Sequence, residues 1–121
     1  MRRGDAYRKA GADILFIESP ESQDEMQRIC SEFKGTPLVA NMVEGGSTPI
    51  LTRETLETLG YRLAIFPTCG FLAAAAAMNA VYQMLAKEGS TANFNGELFD
   101  FKEFSKLMGF EAVWEFDKKY V

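Results

Sequence analysis

Histidine is absent from this 121-residue chain. That excludes Ser-His and Cys-His nucleophile pairs and every imidazole metal ligand. Cysteine is scarce. Cys30 and Cys69 are too few for a disulfide framework or a cysteine zinc site, so a reduced, cytoplasmic setting is expected. Basic charge is also short, with 13 Lys and Arg against 17 Asp and Glu and a net charge of −4. Without clustered cations to neutralise phosphates, no nucleic-acid partner is expected. Long apolar runs are missing too. The most apolar stretch, Phe71 to Met78, is mostly alanine and too short to span a bilayer, and no such run follows Met1 to Asp5. No membrane partner and no secretory leader are therefore expected.

What is present is the usual mix of a soluble globular protein, 47% hydrophobic and 25% charged, in a length that suits one domain. Ala6 to Ala10 reads as the last turns of a helix stopped by Gly11. Ala12 to Ile17 is a nearly continuous apolar run, which suits a strand buried on both faces of a parallel sheet and ending at Glu18. Ser22 with Glu25 three residues later is a capping box. Met26, Ile29, Cys30 and Phe33 then form one apolar helical stripe, which places Cys30 in the core. Thr36 to Ala40 is a second strand ending at Asn41, followed by the loop Met42 to Pro49. Thr52 caps a short helix, with Leu51 and Leu56 as a hydrophobic staple and Gly60 as its stop. Arg62 to Phe66 is a third strand, and Phe71 to Lys87 a long alanine-rich helix ending at Gly89.

Alternating strands and helices predict right-handed βαβ units and a parallel sheet. Three strands are few for a closed core. The tail beyond residue 90 carries Phe94, Phe99, Phe101, Phe104, Phe110, Trp114, Phe116 and Tyr120. Its spacing predicts a helix over 99–108 and another over 113–119. A patch of aromatics that large serves either to cap its own domain or to dock onto a partner, and docking is the expectation here.

Parallel α/β folds place ligand chemistry at the carboxyl ends of the strands. Glu18, Asn41 and Pro67-Thr68-Cys69 occupy those ends. A carboxylate such as Glu18 can hold a substrate hydroxyl or, as a plain alternative, pair with a lysine. An amide such as Asn41 can donate to a carboxylate or merely cap a loop. Gly45, Gly46, Ser47 and Thr48 can form a backbone nest for an anion, with hydroxyl donors beside it. No P-loop lysine follows, so a nucleotide is not expected. Cys69 has no His and no neighbouring Lys to activate its thiol, and is read as inert.

Three ordered motifs carry a resemblance: residues 10–20 (AGADILFIESP), 37–49 (PLVANMVEGGSTP) and 60–67 (GYRLAIFP). They resemble the isocitrate lyase / phosphoenolpyruvate mutase superfamily. The branch most similar holds carboxyvinyl-carboxyphosphonate phosphorylmutase, dimethylmalate lyase and methylisocitrate lyase-like proteins. The resemblance implies the C-terminal part of a (β/α)8 TIM barrel. Such a barrel needs about 250 residues. Residues 1–89 would hold its last three βα units, and residues 90–121 a helical tail swapped between subunits of a homo-oligomer. It implies Mg2+ and a small 2-oxo or 2-hydroxy carboxylate, with C–C or P–C bond chemistry through an enolate-like state. Glu18 matches the strand-end glutamate near substrate and metal, as a catalytic residue or behind the metal's direct ligands. Asn41 matches the substrate-carboxylate asparagine, and Glu44, Gly45, Gly46, Ser47 and Thr48 the adjoining substrate loop.

The family's Ser-Gly-Gly substrate loop, its metal-binding aspartates and its mobile catalytic-Cys loop have no counterpart here, so Mg2+ ligands are expected in an N-terminal half and this chain alone is not expected to be fully catalytic. Leu72 stands where methylisocitrate lyases have a substrate-binding Arg, which favours a smaller or more apolar substrate. Two other functions stay open: a non-catalytic assembly module with the same fold, and a small α/β anion-binding domain.

Overall fold

The computed structural model describes residues 1–120. Two compact units divide the chain, the first Met1–Ala76 and the second from Ala77 onward.

In the first unit, helix α1 (Arg2–Lys9) leads into strand β1 (Leu15–Phe16), helix α2 (Gln23–Glu32), strand β2 (Leu38–Asn41), helix α3 (Arg53–Leu59) and strand β3 (Leu63–Ile65). The strands form a parallel sheet in the order β1-β2-β3. Their ladders pair Leu15 with Leu38 and Phe16 with Val39, then Val39 with Leu63, Ala40 with Ala64 and Asn41 with Ile65. β1 is shorter than the apolar run that announced it. At the sheet edge it bonds to β2 alone, and a turn at Ala10–Gly11 precedes it.

Local signals explain the helices. The Ser22 hydroxyl accepts from the Glu25 amide at 3.2 Å, and the Glu25 carboxylate accepts in return from the Glu21 amide at 2.7 Å. The box closes one residue earlier than its simplest form. Thr52 caps α3 by accepting from the Thr55 amide at 3.2 Å, and Gly60 ends that helix at φ 114°, a left-handed geometry suited to glycine. Leu56 is buried and Leu51 packs against the core, as the staple predicts.

The core joins Met26, Ile29, Cys30 and Phe33 of the α2 segment to Leu56 and Leu59 of α3 and to Leu15, Leu38 and Ala40 of the sheet. Pairing puts Leu15, Leu38, Ala40 and Ala64 on one face, where the buried residues lie. The opposite face carries Phe16, Val39, Asn41, Leu63 and Ile65, and Phe16, Leu63 and Ile65 are exposed. The expectation of strands buried on both faces is thus corrected. Among the described residues, α2 and α3 pack on one face only.

Helix α4 (Cys69–Glu88) begins in the first unit and ends in the second, which also holds α5 (Phe101–Leu107) and α6 (Phe110–Tyr120). With 20 residues and a mean hydropathy of 1.4 over its best window, α4 is long and apolar enough to cross a membrane by length and composition. That corrects the expectation from Phe71 to Met78 alone. Apolar residues continue past Asn79 and Gln83, and charge arrives only at Lys87 and Glu88. Asp100 caps α5, accepting from the Lys102 and Glu103 amides at 2.9 and 3.0 Å.

Candidate functional site

The carboxyl ends of the three strands gather the polar residues that the sequence singled out. Asn41 is the last residue of β2 and lies on the bare face of the sheet. Its Oδ1 is closed off from solvent and has no hydrogen-bond partner. A buried amide oxygen left unpaired costs free energy of the order of 1–3 kcal/mol, so the position calls for a donor from water or ligand. A crevice of roughly 10 Å³ adjoins it, lined by Phe16, Ser19, Val39, Asn41, Thr48 and Tyr61 among others. That is room for about one water.

Glu18 lies two residues beyond β1 and is exposed, and its Oε1 accepts from the Ser19 hydroxyl at 2.9 Å. It lines a separate open cleft of about 740 Å³ with Glu25, Arg28 and Glu32. The structure therefore brings Ser19 and Thr48 to Asn41's crevice, but not the Glu18 carboxylate. Ser19 has φ 51° and is the one non-glycine residue in the left-handed region among the described residues. Such strain collects at functional sites. Its place before Pro20 was the available sequence signal, since a residue preceding proline avoids the right-handed helical region.

The loop after β2 turns tightly. Gly45 has φ 75°, and the Gly46 amide donates to the Val43 carbonyl at 3.0 Å. A Cβ on Gly46 would stand 3.0 Å from that same carbonyl oxygen, so the approach is tight for any other residue. This narrows the nest read from the sequence, because the Gly46 amide is engaged in the turn. Ser47 and Thr48 remain as donors, Ser47 exposed and Thr48 half-buried. Glu44 Oε2 accepts from the Thr68 hydroxyl at 2.7 Å. The sequence reading missed Thr68 as a partner, because the two residues are 24 positions apart and nothing local couples them.

Cys30 is buried, as its stripe predicts, and Cys69 is exposed, its thiol donating to the Phe66 carbonyl at 3.3 Å. Burial pushes the Cys30 thiol up, against a smaller opposing effect of hydrogen bonding to Tyr61. Burial, then the charge and hydrogen bonding of Cys30, pushes the Tyr61 phenol up to about 12. In α1, hydrogen bonds from Lys9 and then Arg8 hold the Asp5 carboxyl below its ordinary value. Among the described residues, no group of three or more Asp, Glu, Cys or His is placed to hold a metal ion.

The comparisons agree with one another. The phosphoenolpyruvate phosphomutase family profile matches residues 1–86. The 2,3-dimethylmalate lyase of Eubacterium barkeri is 45% identical over 120 residues, covering 99% of this chain and 41% of that protein. A crystal structure of 2,3-dimethylmalate lyase, a PEP mutase/isocitrate lyase superfamily member, superposes with a TM-score of 0.82 at 28% identity, over 99% of this chain and 42% of that one. Phosphonopyruvate hydrolase in complex with oxalate and Mg2+ gives 0.79 at 29% identity, over 98% and 42%. The chain spans about two-fifths of the length of the first of these relatives.

Proposed function

The chain belongs to the phosphoenolpyruvate phosphomutase family, within the PEP mutase/isocitrate lyase superfamily, and from that premise we propose that it supplies the C-terminal part of a lyase or mutase acting on a small 2-oxo or 2-hydroxy carboxylate. The whole protein would be a (β/α)8 barrel, and the bare face of the sheet its interior. The observation that carries the reading is Asn41. It stands on that face at the carboxyl end of β2, with an amide that no described residue engages and a buried, unpartnered Oδ1.

In this reading the Asn41 amide N–H donates to the substrate carboxylate. Its Oδ1 accepts from a substrate hydroxyl or a bridging water. Ser47 and Thr48 add hydroxyl donors. Phe16, Val39, Leu63 and Ile65 make the floor apolar, which lowers the local dielectric and strengthens those contacts. Glu18, with one oxygen engaged by Ser19, keeps the other free. It lines the neighbouring cleft, so to accept a proton from a 2-hydroxy substrate as its C–C bond breaks toward an enolate-like state, its carboxylate would have to turn toward Asn41 in the whole barrel. Leu72 on α4 offers no charge to a further carboxylate, which favours substrates such as 2,3-dimethylmalate over tricarboxylates.

Mg2+ is part of the proposal for the whole protein only. The described residues of this chain do not by themselves fit the ion as direct ligands. Its ligands are assigned to the rest of the barrel, and no step is derived through it. Exposed aromatics in α5 and α6 support a homo-oligomer formed through the tail, and they are also what an assembly module without catalysis would show.

The test is complementation. The chain is coexpressed with the N-terminal remainder of the E. barkeri lyase and assayed with Mg2+ on a panel of 2-hydroxy and 2-oxo acids. Turnover is expected from the pair and from neither part alone. Asn41→Ala should lower kcat/KM by about 10- to 150-fold, the loss of one hydrogen bond to a charged group. A soluble pair that turns over nothing, or an Asn41→Ala pair with unchanged kcat/KM, overturns the reading and leaves the assembly module.

A further inference from the structure

Among the described residues, the other exposed side-chain-to-side-chain hydrogen bonds span at most four positions. Thr68 to Glu44 spans 24, at 2.7 Å. It ties the loop after β2 to the segment between β3 and α4, both at the carboxyl end of the sheet. The geometry points to Thr68 as a positioning residue that acts through Glu44 to set the loop carrying Ser47 and Thr48, and that holds the Glu44 carboxylate away from Asn41.

Two physical arguments support this. The first is mechanical. Glu44 and Gly45 are the central residues of the turn closed by the Gly46 amide on the Val43 carbonyl. Fixing the Glu44 side chain from outside therefore fixes the turn and the hydroxyls that follow it. The second is electrostatic. A loop that receives a carboxylate is disfavoured by a like charge beside it. A hydrogen bond to an ionised acceptor is stronger than a neutral one, so the Thr68 hydroxyl is suited to keep that charge turned aside. Glu44 is accordingly assigned to loop geometry and not to contact with substrate. That the loop serves a substrate rests on the function proposed above, whereas the clamp itself is tested without it.

Amide hydrogen exchange of the full chain reads the clamp directly. Thr68→Val keeps the shape and removes the donor, and Thr68→Ser keeps the donor. Exchange at Gly46 should speed up roughly 3- to 10-fold in Thr68→Val, the scale of one exposed side-chain hydrogen bond. It should stay within about twofold of the parent in Thr68→Ser, and Thr68→Val/Glu44→Ala should be no faster than either single change, as expected for one shared interaction. Unchanged exchange in Thr68→Val, or equal loss in Thr68→Val and Thr68→Ser, overturns the clamp. In the complemented pair, Thr68→Val should raise KM with little change in kcat. A faster-exchanging loop with unchanged KM would overturn its service to the substrate site. A pair without activity counts against the proposed function and leaves the exchange result to decide the clamp.

Discussion

Tyr61 and Cys30 bring two titratable groups together in the core, one from just past α3 and one from α2. The phenol's pKa is raised from 10.0 to about 12, mainly by burial. Raised means that the folded state prefers the proton. The stability this contributes is fully present below pH 10 and is lost as pH climbs from 10 to 12. Two units correspond to about 2.7 kcal/mol at most, and partial solvation reduces this to about 1–2 kcal/mol. The urea midpoint of the chain should therefore fall over that window, and Tyr61→Phe should flatten the fall. Cys30, raised by the same burial, keeps a residual slope in the variant. A variant as steep as the parent would show that Tyr61 does not titrate in the folded state. Cys30 was legible as core from its helical stripe, and Asn41 as a strand end from the apolar run before it. The Thr68 bond to Glu44 was not legible, and the left-handed Ser19 was marked only by Pro20 after it. Both arise from how loops close over the sheet, which local spacing does not encode.

At the level of elements, the capping residues and glycine stops marked α2 and α3, because these are local interactions between neighbours in sequence. Strand lengths were less legible, since ladder bonds depend on a partner strand. α1 shows how packing overrides propensity. Glycine inside a helix ordinarily costs about 1 kcal/mol relative to alanine. Gly4 is buried, and a Cβ there would stand 2.7 Å from Phe33 Cζ and 3.3 Å from Ile17 Cδ1. Phe33 is 1% exposed, which leaves its ring little room to move. Overpacking of this kind costs about 1–3 kcal/mol, so Gly4→Ala should be net destabilising by about 1 kcal/mol in spite of the gain in propensity. Chemical denaturation checks the sign, and a variant more stable than the parent would mean that the ring yields easily.

On the scale of the whole molecule, most of the bare sheet face and the aromatics of the tail are apolar surface left open. Phe101 and Leu107 are 81% and 71% exposed, and Phe104, Phe110, Trp114 and Phe116 add to that surface. Some of the tail's rings pair with each other, Phe99 edge-on to Phe104 and Phe110 tilted against Trp114, both at 6.2 Å. Those pairs fix α5 and α6 locally without removing their outer sides from water. Burying each exposed large side chain is worth about 1.5–3 kcal/mol, and contiguous apolar patches of this kind mark sites of association. The chain should therefore self-associate, and light scattering after size exclusion should give more than one chain mass at micromolar concentration. Phe101→Lys with Leu107→Lys changes two side chains that contribute little to burial, so folding should persist while association weakens through the placed charges. One further comparison separates the surfaces. If association survives the double change but is lost on adding charge at Phe16 and Leu63, the sheet face is what self-associates. A monomeric parent chain would show that neither patch recruits a second copy, and the tail would then have no part in assembly without the rest of the barrel.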